Sequence, residues 1–379
     1  MMMTCNAFAG HGLDVTLVAP RVWRSDWSVK IADIWPLYCM KPSFRVLELP
    51  TFVWEETIVE KTLRYQQLLL AFLLFAWHAL KDMFQPSKQR ETLIYAKCYT
   101  SIVAPILIRA ILRKKWTICF EKPDFDEKKW LHRFVCTKSD AIVATTPAVV
   151  EGLVNHYGLS RDRIIDRPYY SWINIFSPES DKAKQAQMRE RHGMDPTAFT
   201  VFYGGKVTQE STEVADIVRA AAQCDQQQFV IAGMPAKTEP YYQALADEVG
   251  AKNITFKGFK PVHEFYEMAQ ASDLLVSYYD TKHFSAHHKS AAKLMLYLCA
   301  EKPIILSDVP NLRRLMSEDC IYFVTPEESD KLAEAIKKIA ASPDQAAEKA
   351  GHCIEFARDN DALKSTAKIL SAIDQVKNS

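Results

Sequence analysis

The sequence predicts an α/β protein with two parallel sheets, each covered by helices on both faces. Three observations lead to this class. Short, nearly continuous apolar segments recur along the chain, amphipathic helical patterns lie between most of them, and one polar stretch divides the series in two. Strands of parallel sheets are buried on both faces and so show apolar runs rather than alternation. We expect two doubly wound domains facing a cleft lined by the carboxyl ends of the strands.

The first half contains four predicted strands and one long apolar run. The strands are expected at residues 14–18, 92–95, 117–121 and 141–145. The run LLLAFLLFAWHAL at residues 68–80 is 13 residues long. A helix that spans a bilayer needs about 20 apolar residues, so this segment is not predicted to cross one. It is either a buried core helix or a surface that docks on a membrane or a lipid-linked acceptor.

Basic residues follow that run in the sequence. Arg109, Arg113, Lys114 and Lys115 would contact anionic headgroups if the run docks on a membrane. Otherwise they are the solvated end of a helix. The sequence leaves both interpretations open.

The second half contains six predicted strands. They are expected at residues 200–204, 228–232, 254–257, 274–277, 304–307 and 321–324. A helix over 211–222 has apolar side chains at helical spacing. A second helix, over 290–300, ends before Pro303 and begins beside Lys289 and Lys293. Its positive end and these two ammonium groups predict a diphosphate site.

The same patterns suggest domain boundaries. We predict a first domain over residues 1–178, a polar linker with a small helix over 179–198 and a second domain over 199–355. A C-terminal helix over 356–379 is expected to pack back on the first domain.

Composition excludes several function classes. The 47 Lys and Arg nearly cancel the 46 Asp and Glu, so no global charge favours nucleic acid. The nine Cys are scattered singly, without the CxxC spacing of zinc or redox motifs. No signal-peptide pattern is visible, which predicts a cytoplasmic protein. No GxGxxG follows a strand, which disfavours a dinucleotide dehydrogenase.

Six segments, in order, resemble the GT-B glycosyltransferases of family 4, the group 1 type. The best examples are FEKPDF at 120–125, FYGGKVTQES at 202–211 and KLMLYLCAEKPIILSDVPNLRRL at 293–315. The others are residues 10–20, 139–164 and 256–277. The resemblance covers nearly the whole chain.

This resemblance implies an activity. The chain would be a hexosyltransferase-type glycosyltransferase that moves a sugar from a UDP- or GDP-linked donor to a glycan or lipid-linked acceptor, with retention of configuration and without metal or cofactor. The context would be surface polysaccharide or glycolipid assembly, in the cytoplasm or peripherally on the inner face of the cytoplasmic membrane. Fixed cations would stabilise the charge that develops on the leaving diphosphate.

The resemblance also implies site residues. Lys206 falls at the family's phosphate-binding cation, and Gly204 and Gly205 would let the backbone approach the donor. The remaining donor-binding candidates are Phe259, Lys260, His288, Lys289, Lys293 and Leu296. Glu121 and Lys122 are the catalytic candidates. If they have no role in binding or catalysis, each Lys is a solvated surface side chain and Glu121 is a surface residue at the end of a strand.

Several positions depart from the family pattern. Leu296 stands where the family has a ribose-binding Glu, His288 where it has the partner acid, Ser211 where it has a second cation, and Pro123 where it has His. The family's first strand and Gly-rich loop are also not recognisable, so the first sheet is expected to lack that strand. These departures favour the alternative of a non-catalytic GT-B protein that binds a glycan or supports a partner glycosyltransferase. A sugar epimerase of the same fold is the third reading.

Two clusters could suggest a metal. His283, His287 and His288 lack a completing ligand pattern apart from Asp280, and Asp124 and Asp126 form a DxD after a first-half strand. We expect a polar loop at the first cluster and no metal site at either.

Overall fold

The computed structural model describes residues 1–21, 31–50, 59–84, 91–122, 125, 130–167, 170–279, 281 and 292–378. The chain forms two compact α/β units. Unit 1 comprises Met1–Pro36, Lys41–Pro168 and Leu363–Ser379, and unit 2 comprises Leu37–Met40 and Tyr169–Ala362.

Unit 1 contains two parallel sheets. One has the order β1-β2 and the other β3-β4-β5-β6. The strands are β1 (Thr16–Arg21), β2 (Arg45–Pro50), β3 (Leu93–Ala96), β4 (Thr117–Lys122), β5 (Ala141–Ala144) and β6 (Ile164–Asp166). The helices are α1 (Met2–Gly10), α2 (Ile31–Leu37), α3 (Val59–Phe84), α4 (Tyr99–Leu112), α5 (Trp130–Lys138), α6 (Pro147–Asn155) and α15 (Ala362–Asn378).

Unit 2 is built on one six-stranded parallel sheet with the order β12-β11-β10-β7-β8-β9. Its strands are β7 (Phe199–Gly204), β8 (Gln227–Ala232), β9 (Ile254–Lys257), β10 (Leu274–Ser277), β11 (Ile304–Ser307) and β12 (Ile321–Val324). Its helices are α7 (Lys182–Arg191), α8 (Thr212–Ala221), α9 (Glu239–Val249), α10 (Val262–Ala271), α11 (Ala292–Tyr297), α12 (Pro310–Arg313), α13 (Ser329–Ala340) and α14 (Pro343–Asp359).

Both faces of the unit 2 sheet are buried. Phe202 and Val230 pack into one apolar cluster, whereas Val201 and Phe229 pack into another on the opposite face. Successive side chains of a strand point to opposite faces, so one strand feeds two cores. This two-sided burial is why the strands read as continuous apolar runs in the sequence.

All ten predicted strands are present, with the largest displacement at β1, which begins two residues later than expected. Two strands were missed. β2 is the edge of a two-stranded sheet, has mixed polar residues and ends at Pro50, so it lacks an apolar run. β6 has only three residues, which is too short for a pattern.

The segment predicted as a linker with a small helix lies within unit 2. Residues 182–191 form α7 within unit 2, packed against α10. Arg189 bonds Asp273 at 2.6 Å and donates to the carbonyl of Ala271 at 2.8 Å. The segment looked like a linker because its apolar content is low, but ion pairs and backbone contacts attach it instead. The C-terminal residues from Leu363 onward belong to unit 1.

Candidate functional site

The strand order of unit 2 identifies one place on the sheet where a ligand is expected. The chain runs from β7 outward to β8 and β9 on one side, and then returns to β10 and continues outward to β11 and β12. The loops that leave β7 and β10 therefore diverge. In open parallel sheets, ligands bind in the crevice that this reversal creates at the carboxyl ends of the strands.

A glycine ends β7 because a neighbouring ring fills the space a side chain would need. A Cβ added to Gly204 would lie 2.1 Å from Cε2 of Phe265. The amide of Gly204 donates to the Tyr297 hydroxyl at 2.8 Å. Phe265 and Tyr297 are stacked with centroids 6.0 Å apart. Packing against Phe265 is therefore sufficient reason for a glycine at position 204, and the approach of a donor to its backbone stays a prediction.

The loops that follow β7 and β8 touch through their backbones. Gly233 has a φ of +93°, and a Cβ there would lie 2.0 Å from the carbonyl oxygen of Gly205. Gly205 in turn donates its amide to Ala232 at 3.1 Å. Only glycine tolerates both this contact and this conformation. The sequence analysis missed Gly233, although a glycine directly after a predicted strand was a usable signal.

Lys293 projects from α11 toward the end of β7. Its Nζ lies 3.9 Å from the ring centroid of Tyr203 and 4.8 Å from that of Tyr279. A Cβ on Gly205 would be 3.5 Å from the same Nζ. Burial lowers the pKa of Lys293 to about 8, against a smaller opposing influence of Glu213. The ammonium group thus lies at the switch point, enclosed by aromatic rings.

Glu213 completes this cluster and was not predicted. It lies in the first turn of α8 and accepts a hydrogen bond from the Tyr203 hydroxyl at 3.1 Å. Burial, and then Glu213, raise the pKa of Tyr203 well above its ordinary value, so the hydroxyl remains a donor. An acidic residue in the first turn of a helix is so common that the sequence offers no reason to select this one.

Lys206 follows the two glycines, as predicted, and its side chain is exposed. Among the described residues it has no hydrogen bond or ion pair. It is therefore accessible to a ligand at the switch point, in contrast to the enclosed Lys293.

Ser211 is the residue predicted to stand at the position of the family's second cation. Its Oγ accepts from the amide of Thr208 at 3.0 Å, and its carbonyl accepts from the Tyr242 hydroxyl at 2.9 Å. The side chain is buried at the start of α8. It holds the loop after β7 in shape and brings no charge to it.

The other predicted donor-binding residues fall into three groups. Phe259 is exposed beyond β9, and Lys260 beside it bonds Glu264 at 3.1 Å. Leu296 is buried in the core of unit 2, because it faces inward from α11. His288 and Lys289 lie outside the described residues, as do His283, His287, Pro123, Asp124, Asp126 and Asp280.

The two catalytic candidates lie at the end of β4 in unit 1. Glu121 is fully buried and bonds Arg167 at 2.9 Å and Lys97 at 2.9 Å, with a further hydrogen bond from the Tyr95 hydroxyl. Burial alone would raise the pKa of Glu121, but Arg167 and Lys97 outweigh it and the pKa is lowered. Glu121 is thus a buried carboxylate held by two ion pairs, and its catalytic role stays a prediction.

Lys122 is the second of these candidates and is equally enclosed. Its Nζ lies 3.1 Å from Nδ1 of His132, whose ring packs at 4.4 Å from that of Tyr99. Its side chain is 1% exposed. Its catalytic role also stays a prediction. No group of three or more metal-binding side chains occurs among the residues that the structure describes.

Comparison with known proteins finds similarity to glycosyltransferases. Residues 184–360 match the family model described as glycosyl transferases group 1. The matched residues lie within unit 2. Alpha-D-kanosaminyltransferase of Streptomyces kanamyceticus is 23% identical over 236 residues, 60% of this chain and 58% of that protein. The chain thus aligns with little more than half the length of this curated relative.

Solved structures extend the likeness to both units. A glycosyltransferase from Rickettsia africae superimposes with a TM-score of 0.73 and 11% identity, covering 100% of this chain and 94% of that one. Anabaena HepE, solved with UDP and glucose, has a TM-score of 0.67 and 14% identity, covering 95% and 99%. At such identities the likeness establishes the fold. The predicted resemblance to divergent group 1 glycosyltransferases of the GT-B fold is confirmed.

Proposed function

We propose that the chain is a retaining, metal-independent glycosyltransferase that transfers a sugar from a nucleotide diphosphate sugar to a glycan or lipid-linked acceptor. The observation that carries this proposal is the cluster at the switch point of the glycosyltransferase domain. There Lys293 and Lys206 lie beside the glycine turn that ends β7, where the Lys293 Nζ is 3.5 Å from the position of a Cβ on Gly205. A diphosphate needs both close backbone approach and positive charge.

The two lysines would contact the diphosphate from different sides. Lys293 is preset by the rings of Tyr203 and Tyr279, so little side-chain entropy remains to be lost when a phosphate binds. Its pKa of about 8 leaves it mostly protonated at neutral pH, and a bound diphosphate would raise that pKa. Lys206 would approach from the solvent side. Together they would stabilise the negative charge of the leaving nucleoside diphosphate.

Glu213 has a supporting part in this proposal. It holds the Tyr203 hydroxyl, which orients the ring beneath the Lys293 ammonium group. It also offsets part of the cost of burying that ammonium group, because it is the nearby carboxylate that raises the pKa of Lys293. Glu213 is therefore a positioning residue.

Titration calorimetry with UDP and GDP tests the proposal. HepE was solved with UDP, so UDP is the first ligand to try. Binding that is lost in Lys293→Met and retained in the exposed control Lys337→Met supports a donor site at the switch point. Equal binding by all three proteins contradicts it. Hydrolysis or transfer from the corresponding sugar nucleotide then tests catalysis.

A second candidate is a non-catalytic protein that binds a glycan or supports a partner glycosyltransferase. Two observations favour it. Leu296 lies in the core where the family has a ribose-binding Glu, and Ser211 is a buried loop residue where the family has a cation. Under this candidate, purified protein would show neither hydrolysis nor transfer with any sugar nucleotide.

A further inference from the structure

Two neighbouring helices of unit 1 expose large apolar side chains to solvent. On α3, Leu69, Leu73 and Trp77 are 59%, 56% and 68% exposed. Their spacing of four residues places them along one face of the helix. On α4, Leu107 and Ile111 repeat that spacing and are 40% and 68% exposed. Single exposed apolar residues are ordinary, but five in two regular stripes indicate an interaction surface.

The two stripes lie on adjacent helices, because α3 and α4 pack against each other. The opposite faces of both helices are buried. Ala79 of α3 and Ile102 and Ile106 of α4 lie in the core of unit 1. Each helix is therefore apolar on its inner and outer sides. We call the five exposed residues the outer apolar face.

A basic run borders this face. Arg113, Lys114 and Lys115 follow the last turn of α4, and none of the three has an ion pair with another described residue. His78 of α3 stacks on Trp116 with ring centroids 6.1 Å apart, which brings the end of α3 beside this run. Trp77, the largest member of the outer apolar face, immediately precedes His78 in α3.

Arg109 is not part of the basic run, although the sequence suggested it. It forms an ion pair with Asp140 and donates to the carbonyls of Trp116 at 3.1 Å and Lys138 at 2.7 Å. It ties α4 to the sheet of unit 1. Of the four basic residues considered, only the three that follow α4 lack such an attachment among the described residues.

We propose that the outer apolar face and the basic run dock unit 1 on the surface of a membrane that contains anionic lipids. Apolar side chains would enter the boundary between headgroups and acyl chains, and the cations would bind the phosphates. Tryptophan suits that boundary because its ring is apolar and its indole N–H is polar. Among the described residues no helix is both long and apolar enough to cross a bilayer, so the contact would be one of surface docking.

The basic run is the reason for choosing a lipid surface over a second copy of the chain. A mainly apolar face could bury itself against either partner. Three neighbouring cations at its border instead call for an anionic partner. The inference deepens the proposed function, because docking would bring the enzyme to a lipid-linked acceptor.

Flotation with lipid vesicles tests the inference. Wild-type protein is expected to float with vesicles of phosphatidylcholine and phosphatidylglycerol, and less with phosphatidylcholine alone. The variant Leu69→Gln/Leu73→Gln/Trp77→Gln should lose at least about tenfold in partitioning, since burial of several large apolar side chains drives such binding. The control Leu13→Gln replaces an equally apolar residue, 42% exposed, in the turn before β1, and should not change it.

The charge contribution is tested separately. Lys114→Gln/Lys115→Gln should lose about tenfold with anionic vesicles and little with neutral ones. The control Lys337→Gln/Lys338→Gln removes two exposed lysines of α13 and should behave as wild type. Thermal melting confirms that each variant is folded.

Three outcomes overturn the inference. They are absence of wild-type binding to anionic vesicles, unchanged binding by the triple variant, and a triple variant that converts a dimer to a monomer in light scattering. UDP binding is measured on the same samples. Protein that binds UDP but not vesicles would refute only the membrane surface. Protein that binds vesicles but not UDP would refute only the donor site.

Discussion

The two units each enclose a cluster of charged groups, and the clusters differ in one respect. In unit 1, the Glu121 carboxylate meets Arg167, Lys97 and the Tyr95 hydroxyl. In unit 2, Lys293 meets the rings of Tyr203 and Tyr279, and Glu213 is the carboxylate among the described residues that influences its charge. The first cluster satisfies its own charge. The second keeps an ammonium group whose best partner would be a ligand.

On this contrast we base the proposal that the cluster in unit 2, and not the one in unit 1, binds a ligand. Perturbed side chains in both clusters would qualify as functional candidates if judged only by burial. The pKa of Glu121 is lowered because Arg167 and Lys97 outweigh its burial, whereas the pKa of Lys293 is lowered because its burial outweighs Glu213, its opposing charge among the described residues. Four substitutions test the distinction.

The largest effect is expected in unit 1. Arg167→Met should lower the free energy of unfolding by about 3–5 kcal/mol, because it leaves a buried carboxylate without its main partner. Denaturant unfolding followed by circular dichroism measures this. Donor affinity in the remaining folded protein should be unchanged.

The exposed pair of Arg45 and Asp14 supplies the control. Its atoms lie 3.0 Å apart on side chains that are 71% and 55% exposed. Arg45→Met should therefore cost less than about 1 kcal/mol. If Glu121→Gln abolished sugar transfer at unchanged stability, Glu121 would be catalytic after all and the contrast would be wrong.

The next effect concerns the glycine contact that shapes the site. Gly233→Ala should cost about 2–4 kcal/mol, from backbone strain and a clash with the carbonyl of Gly205. It should also weaken UDP binding, because the loop after β7 must move.

Gly250→Ala is the matched control. Gly250 has a φ of +77° but nothing lies within 4 Å of a Cβ there. Only strain remains, so the cost should be about 1 kcal/mol and UDP binding should not change. If both substitutions had equal effects on stability and on UDP binding, the contact between Gly233 and the Gly205 carbonyl would not shape the site.

Lys293→Met should weaken UDP binding about tenfold to a hundredfold, the usual worth of a charge-assisted hydrogen bond. The affinity of the wild type should fall as the pH rises above about 8, where Lys293 loses its proton, and the variant should lack this dependence. Calorimetry at several pH values measures both.

Rising pH should change the folding stability in the direction opposite to its effect on UDP binding. The folded pKa of Lys293 lies below its unfolded value, so between about pH 8 and pH 10 the unfolded chain binds the additional proton. The free energy of unfolding should therefore rise with pH across that window, relative to Lys293→Met. A wild type and variant with parallel pH profiles would contradict the burial of this ammonium group.

The smallest effect is expected at Lys206. Its side chain is exposed, so Lys206→Ala should weaken UDP binding only about threefold. Added salt should reduce the difference from wild type, because exposed charges are screened. The control is Lys252→Ala. Lys252 is exposed and precedes β9, so it lies at the amino ends of the strands, whereas Lys206 lies at their carboxyl ends. If UDP binding fell as much in Lys206→Ala as in Lys293→Met, Lys206 would not be the weaker, solvent-side contact.

Much of the scaffold could be predicted from local pattern. β7, β8 and β10 are apolar on both faces, so their runs were visible without any tertiary information. Gly204, Gly205 and Lys206 could be assigned to the end of β7 for the same reason. β2 was missed because an edge strand with one partner needs no apolar run.

What the sequence determined by itself was thus the series of strands and helices, and the glycines and lysines at their ends. The tertiary structure decided which of those ends meet. Strand order brings Gly233 against Gly205 and Lys293 against Tyr203, although both pairs are far apart along the chain, and Glu213 bonds the same tyrosine. It also decided that Leu296 is buried and that Leu73 and Trp77 are exposed. Burial depends on neighbours from distant segments, and no local pattern contains them.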